Sequence, residues 1–135
     1  MASRPRFVLD TSAILALRSG ETGARRVEAL LRSAHSGRAK VYLSFMTRME
    51  LLYRIARDEG QEQAETALRL IDATGAQWVS CEQDILEEAA RLKAVGGLSV
   101  ADAWIAATAL TREAVLVHKD PEFHRAGRVQ RQRLR

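Results

Sequence analysis

The chain has 135 residues, 28% of them charged and 47% from the set AVILMFWYC, enough apolar material for one domain-sized core without disulfide or metal staples. Lys and Arg total 21 against 17 Asp and Glu, a formal balance of +4 that permits a nucleic-acid partner without demanding one. No apolar run approaches membrane-spanning length, the N-terminus passes straight into a strand with no signal-peptide core, and the single cysteine cannot form an internal disulfide, so a reducing cytoplasm is the expected setting.

The pattern predicts a buried strand over Arg6–Leu9 and a short helix over Ala13–Arg18. Between them stands Asp10-Thr11-Ser12, where Asp10 or Ser12 suits a helix N-cap and Asp10 equally suits a metal ligand at the end of a central strand. A second helix, Ala24–Ala34, carries Val27, Leu30, Leu31 and Ala34 at i, i+3, i+4 and i+7, an amphipathic stripe. Val41–Leu43 reads as the next strand, followed by helices over Met46–Arg57 and Gln61–Ala73. Helices Ala24–Ala34 and Met46–Arg57 carry more apolar residues than one buried face needs, among them Leu51, Leu52, Tyr53 and Ile55, and the surplus is either core, the safer reading, or partner surface. Gln77–Val79 predicts a third strand, with Cys81 two residues beyond it expected as a small buried hydrophobe. Helices over Glu82–Ala94 and Val100–Arg112 lead to a strand over Ala114–Val117, and the terminal RVQRQRLR adds a short basic edge strand. Strands alternating with helices in this way predict one α/β domain over residues 1–135, a parallel sheet covered on both faces.

In such a sheet ligands sit outside the carboxyl ends of the strands, and three further acids fall there. Glu50 lies one turn into the helix after the second strand, Asp102 lies inside the otherwise apolar LSVADAWIAATAL, and Asp120 lies three residues beyond Val117. Each has an ordinary explanation: Thr47 with Glu50, and Ser99 with Asp102, have capping-box spacing, and Asp120 before Pro121 makes a turn. Together the ordinary explanations weaken. A carboxylate within a run as apolar as 101–110 is costly to bury unpartnered, and four crowded carboxylates hold protons unless a cation neutralises them. Oxygen-only donors suit Mg²⁺ or Mn²⁺ rather than zinc, and His35, His118 and His124, with no close-spaced Cys or second His, read as surface or satisfied side chains.

VLDTSAIL, the helix bearing Glu50, LSVADAWIAATAL and LVHKDPEF together resemble the successive signatures of the PIN domain, and the compact length is most similar to VapC-type toxin ribonucleases. The resemblance spans nearly the whole chain. It implies a PIN-like parallel sheet flanked by helices, a pocket binding Mg²⁺ or Mn²⁺, and endonucleolytic cleavage of RNA. Carried over residue by residue, Asp10, Glu50, Asp102 and Asp120 match the acidic catalytic and metal-binding positions, and Thr11, Ser12 and Ser99 match the polar residues beside them. One departure is His118, where many relatives have threonine or serine. The resemblance further implies a homodimer and a small VapB-type antitoxin, bound along a groove beside the Ala24–Ala34 and Met46–Arg57 helices and presenting a basic side chain to the acids.

The chemistry follows from charge. RNA phosphodiesters are anionic and bare carboxylates repel them, so a cation has to bridge the two and activate the attacking water, leaving 5′-phosphate and 3′-hydroxyl ends. Asp10 and Asp102 are the expected principal ligands, with Asp120 and Glu50 completing the set directly or through water. Arg48, Lys119, Arg125 and the tail arginines are candidates for holding flanking phosphates. A haloacid-dehalogenase-type phosphatase also opens with a strand and an aspartate, but needs a second acid where this chain has Ser12. A PIN nuclease outside toxin–antitoxin control and a non-catalytic PIN interaction module remain the alternatives, although a pure binding module has no need to keep all four acids.

Overall fold

The structure is a computed structural model and describes residues 3–120, 123, 126, 127 and 129–135. In chain order the elements are β1 (Arg6–Leu9), α1 (Thr11–Arg18), α2 (Ala24–His35), β2 (Lys40–Ser44), α3 (Phe45–Glu59), α4 (Gln61–Asp72), β3 (Gln77–Val79), α5 (Gln83–Val95), α6 (Val100–Thr111), β4 (Val115–His118) and β5 (Arg131–Arg133). The strands form one sheet in the order β3-β2-β1-β4-β5, with every pairing parallel. This is the expected α/β architecture, including the short basic edge strand.

Strand alternation sorts the core into two layers. Leu9, Val41, Leu43 and Val117 face α1 to α4, where they meet Ile14, Val27, Leu30, Leu51, Ile55 and Leu68. Val8, Tyr42 and Leu116 face the other way, onto Ile85, Ala89 and the buried run of α6. Because α6 is buried on nearly every side, with Ala103, Ile105, Ala106, Ala107 and Ala109 all in the core, it is apolar all round rather than striped. The crossover from β1 to β2 runs over one face of the sheet, and the one from β3 to β4 over the other. The strand order therefore reverses between β1 and β4, which opens a crevice at their carboxyl ends.

Two local readings change. Helix α3 begins at Phe45, capped by Ser44, whose Oγ accepts from the Met46 amide at 3.2 Å. Thr47 is thus inside the helix, and the capping box with Glu50 does not form. Cys81 is exposed rather than buried, because β3 ends at Val79 and the cysteine falls in the connection to α5. Elsewhere the turn before β3 passes so close to the end of α2 that a Cβ on Gly75 would lie 2.7 Å from the His35 nitrogen and nearer still to the Ala34 carbonyl. Of the apolar surplus on α3, Leu51 and Ile55 are core, while Met49 and Tyr53 are about half exposed. No helix among the described residues is long and apolar enough to cross a membrane.

Candidate active site

Asp10 sits at the switch point. Its backbone amide donates to the Val117 carbonyl at 3.0 Å, which continues the β1–β4 ladder to the edge of the crevice. Its side chain caps α1, Oδ2 accepting from the Ser12 amide at 3.0 Å and from the Ser12 hydroxyl. The same Ser12 oxygen accepts from the Lys119 amide at 2.9 Å, so one hydroxyl ties the ends of β1 and β4 to the carboxylate. The capping role therefore falls to this buried carboxylate. Burial raises the Asp10 pKa to about 6, the two Ser12 hydrogen bonds oppose the rise, and the charges of Glu50 and Asp120 add to it.

Glu50, on the second turn of α3, points its Oε1 at the Thr11 hydroxyl, 2.8 Å away, and that hydroxyl lies 3.1 Å from the Thr47 oxygen. Asp102 lies in the first turn of α6, where its amide donates to the Ser99 hydroxyl at 3.1 Å, the cap that the sequence spacing suggests. Its pKa rises to about 7, first through burial, then through the charges of Asp10 and Asp120, with Ser99 opposing and Glu50 adding. Asp120 follows β4 by two residues and is partly buried. Four acids from four separate segments thus share one electrostatic neighbourhood: Asp102 feels all three of the others.

Such a set has the chemistry of a hard-cation site. Its donors are oxygens only, and the burial and repulsion that push two of them toward protonation are what a divalent cation relieves. Among the described residues, no three Asp, Glu, His or Cys side chains stand close enough to enclose an ion as they are. The donor type fits Mg²⁺ or Mn²⁺; a closed cage is not preformed.

The basic candidates fare differently. Arg48 pairs with Asp72 at 3.0 Å and lies 4.9 Å over the Trp78 ring, whose Nε1 also donates to Asp72, so its charge is already matched. Lys119 pairs through Nζ with Glu21 at 3.1 Å. Arg125 lies outside the described residues, as does His124. His118 departs from the surface reading: it is buried at the end of β4 against Phe123, ring centroids 5.0 Å apart, and its Nδ1 has no hydrogen-bond partner among the described residues. Burial lowers its pKa, in keeping with a neutral ring. Thr47 is the residue that sequence reasoning placed in the wrong role. The available signal was its i, i+3 spacing to Glu50, read there as a cap.

A parallel sheet with acids gathered at its switch point is the arrangement of one nuclease-like fold class, and the sequence agrees: the model of the PIN domain matches residues 7–129, so the chain belongs to the PIN domain family. Within that family the solved structures it resembles include VapBC complexes and a VapC toxin. It is similar to VapBC-1 from nontypeable Haemophilus influenzae at 27% identity and a TM-score of 0.74, covering 95% of this chain and 97% of that one. VapBC2 from Rickettsia felis, bound to a promoter DNA fragment, gives 18% identity and a TM-score of 0.77 over 96% and 99%. Mycobacterium tuberculosis VapC20, a sarcin–ricin loop cleaving toxin, gives 22% and 0.70 over 90% and 95%. No curated protein matches the sequence.

Proposed function

We propose that the chain is a metal-dependent endoribonuclease and the toxin component of a type II toxin–antitoxin pair. The observation that carries this reading is the convergence on Asp102 of the fields of Asp10, Asp120 and Glu50, at the one edge of the sheet where the strand order reverses. Membership of the PIN family and the 27% likeness to VapBC-1 support the same conclusion.

In this reading Asp10 and Asp102 hold Mg²⁺ or Mn²⁺, with Glu50 and Asp120 beside them. Bound there, the cation supplies a Lewis acid for the phosphoryl oxygen and a water of lowered pKa. The protein's own residues do the positioning. Ser12 fixes the Asp10 carboxylate against the Lys119 amide, Thr11 holds Glu50, and Ser99 sets the first turn of α6 that carries Asp102. Lys119, beside Asp120, and Arg133, whose register partner is His118, lie at the carboxyl edge, where flanking phosphates of an RNA strand would pass.

The partner reading is an antitoxin segment beside α3, in a largely apolar groove of about 230 Å³ that lies between α1, α3 and α4 rather than along α2 and is lined by Ile14, Leu17, Arg18, Ile55, Leu70 and Ile71 among others. A basic side chain of that segment pairs with the acids in place of the cation. A second copy of the chain completes a homodimer.

A nuclease assay on RNA in Mg²⁺ or Mn²⁺, with chelator and Asp10→Asn as controls, tests the activity. The expected result is cleavage by the wild type alone. Undiminished cleavage by Asp10→Asn, in preparations free of contaminating nuclease, overturns the mechanism, and a folded wild type that cleaves no RNA under any metal points to the interaction module. Co-expression with the adjacent reading frame tests the partner: freely active enzyme with no co-purifying peptide points to a PIN nuclease outside toxin–antitoxin control.

A further inference from the structure

Helix α3 buries Thr47, Leu51 and Ile55 along one stripe. Leu51 and Ile55 are core side chains, and a valine would fill the space at 47 as well as a threonine does. A hydroxyl at a position with no solvent exposure is costly unless bonded. Buried helical threonines commonly turn back to the preceding turn, as Thr108 does here by donating to the Trp104 carbonyl at 2.8 Å. Thr47 turns across to α1 instead, and its oxygen meets that of Thr11.

The proton count fixes the direction of this contact. Thr11 has one hydroxyl proton and two oxygen neighbours, Glu50 Oε1 at 2.8 Å and Thr47 Oγ1 at 3.1 Å. The Glu50 contact is the shorter, so the single Thr11 proton goes to Glu50, and the remaining contact is made by the Thr47 proton, donated to Thr11. The result is a one-way chain, Thr47 to Thr11 to Glu50, in which each bond polarises the next. Since Thr47 and Glu50 are i and i+3 on the same helix, the chain also closes a ring through one turn of α3 and holds α1 against it.

We propose that Thr47 is a positioning residue for the acidic site: by donating to Thr11 it commits the Thr11 proton to Glu50 and fixes the direction in which that carboxylate faces. The role rests on the metal-site reading above for its consequence, but not for its geometry.

The test uses the full chain and three variants, Thr47→Val, Thr47→Ser and Thr11→Val, with two readouts. The first is the Thr11 hydroxyl proton observed by NMR in the metal-free protein. It is expected as a slowly exchanging resonance in the wild type and in Thr47→Ser, and as an exchange-broadened one in Thr47→Val. The second is Mn²⁺ affinity by electron paramagnetic resonance. Thr47→Val is expected to weaken it about tenfold, the lower end for partners one step removed from a ligand, with Thr47→Ser restoring it and with no additional loss when Thr47→Val is combined with Thr11→Val. A folded Thr47→Val that matches the wild type in both readouts overturns the proposal, as do additive losses in the double variant. A wild type that binds no Mn²⁺ refutes the metal site, and the hydroxyl resonance then still decides the relay.

Discussion

Replacing Asp10 by Asn should make the metal-free protein more stable, not less, and the effect should depend on pH. Asn keeps the shape of the side chain and can still accept the capping bond from the Ser12 amide at a helix N-terminus. What it removes is a buried charge. The Asp10 carboxyl titrates near 3.8 in the unfolded chain and about 6 in the folded one, so the folded state binds the proton more tightly. That contribution is fully present below pH 4 and is lost as pH rises to about 6; by the linkage relation the loss amounts to about 3 kcal/mol. Asp102, raised to about 7, adds a loss of the same sign that solvent screening reduces, since it is only partly buried. Urea unfolding in chelator at acidic, neutral and mildly basic pH measures this directly. Wild type should lose stability across that range, and Asp10→Asn should exceed it by up to about 3 kcal/mol at the basic end, the gap closing toward pH 4. Wild-type stability that does not fall over the range, with Asp10→Asn no better at the basic end, would refute the claim that burial and neighbouring charge strain this carboxylate.

The cation should offset most of that loss: Mg²⁺ or Mn²⁺ in a hundredfold excess over its dissociation constant stabilises the folded wild type by about 2.7 kcal/mol, read as a higher Tm, and Asp102→Asn should abolish most of the rise. Identical melting curves in chelator and in metal would remove the site. Glu50→Gln and Asp120→Asn should each lose most RNase activity in a gel assay while keeping a wild-type circular dichroism spectrum, since neither fills apolar volume. Gly75→Ala should cost about 1–3 kcal/mol in urea unfolding, because its Cβ meets the backbone of α2 rather than a side chain that can move aside.

Much of this architecture is legible in the sequence because it is written in periodicities. The three-residue β3 and the four-residue β1 are bounded as expected, since each ends where its apolar run ends. The positions of the acids follow too, because a carboxylate at the end of a buried strand or in the first turn of an apolar helix stands out against its surroundings. Side-chain partners are the part that periodicity does not carry. Thr47 has the spacing of a cap, yet Ser44 takes the cap because β2 runs on to that residue and leaves it extended at the helix entrance. Arg48 reads as a free cation until α4 brings Asp72 to it from 24 residues away. His118 reads as a surface or satisfied side chain, and its place in β4 turns it inward onto Phe123.

The strand order also sets when the site can exist. Asp10 is made well before Asp120, and the Ser12–Lys119 hydrogen bond that joins their strands spans 107 positions. β1 lies at the centre of the sheet, and its β4 neighbour is supplied only after α6 has been made. As the chain emerges N-terminus first, β1, β2 and β3 with α1 to α4 can pair and pack while the crevice still has one wall. A growing polypeptide therefore carries no assembled acidic cluster until α6 and β4 have been made.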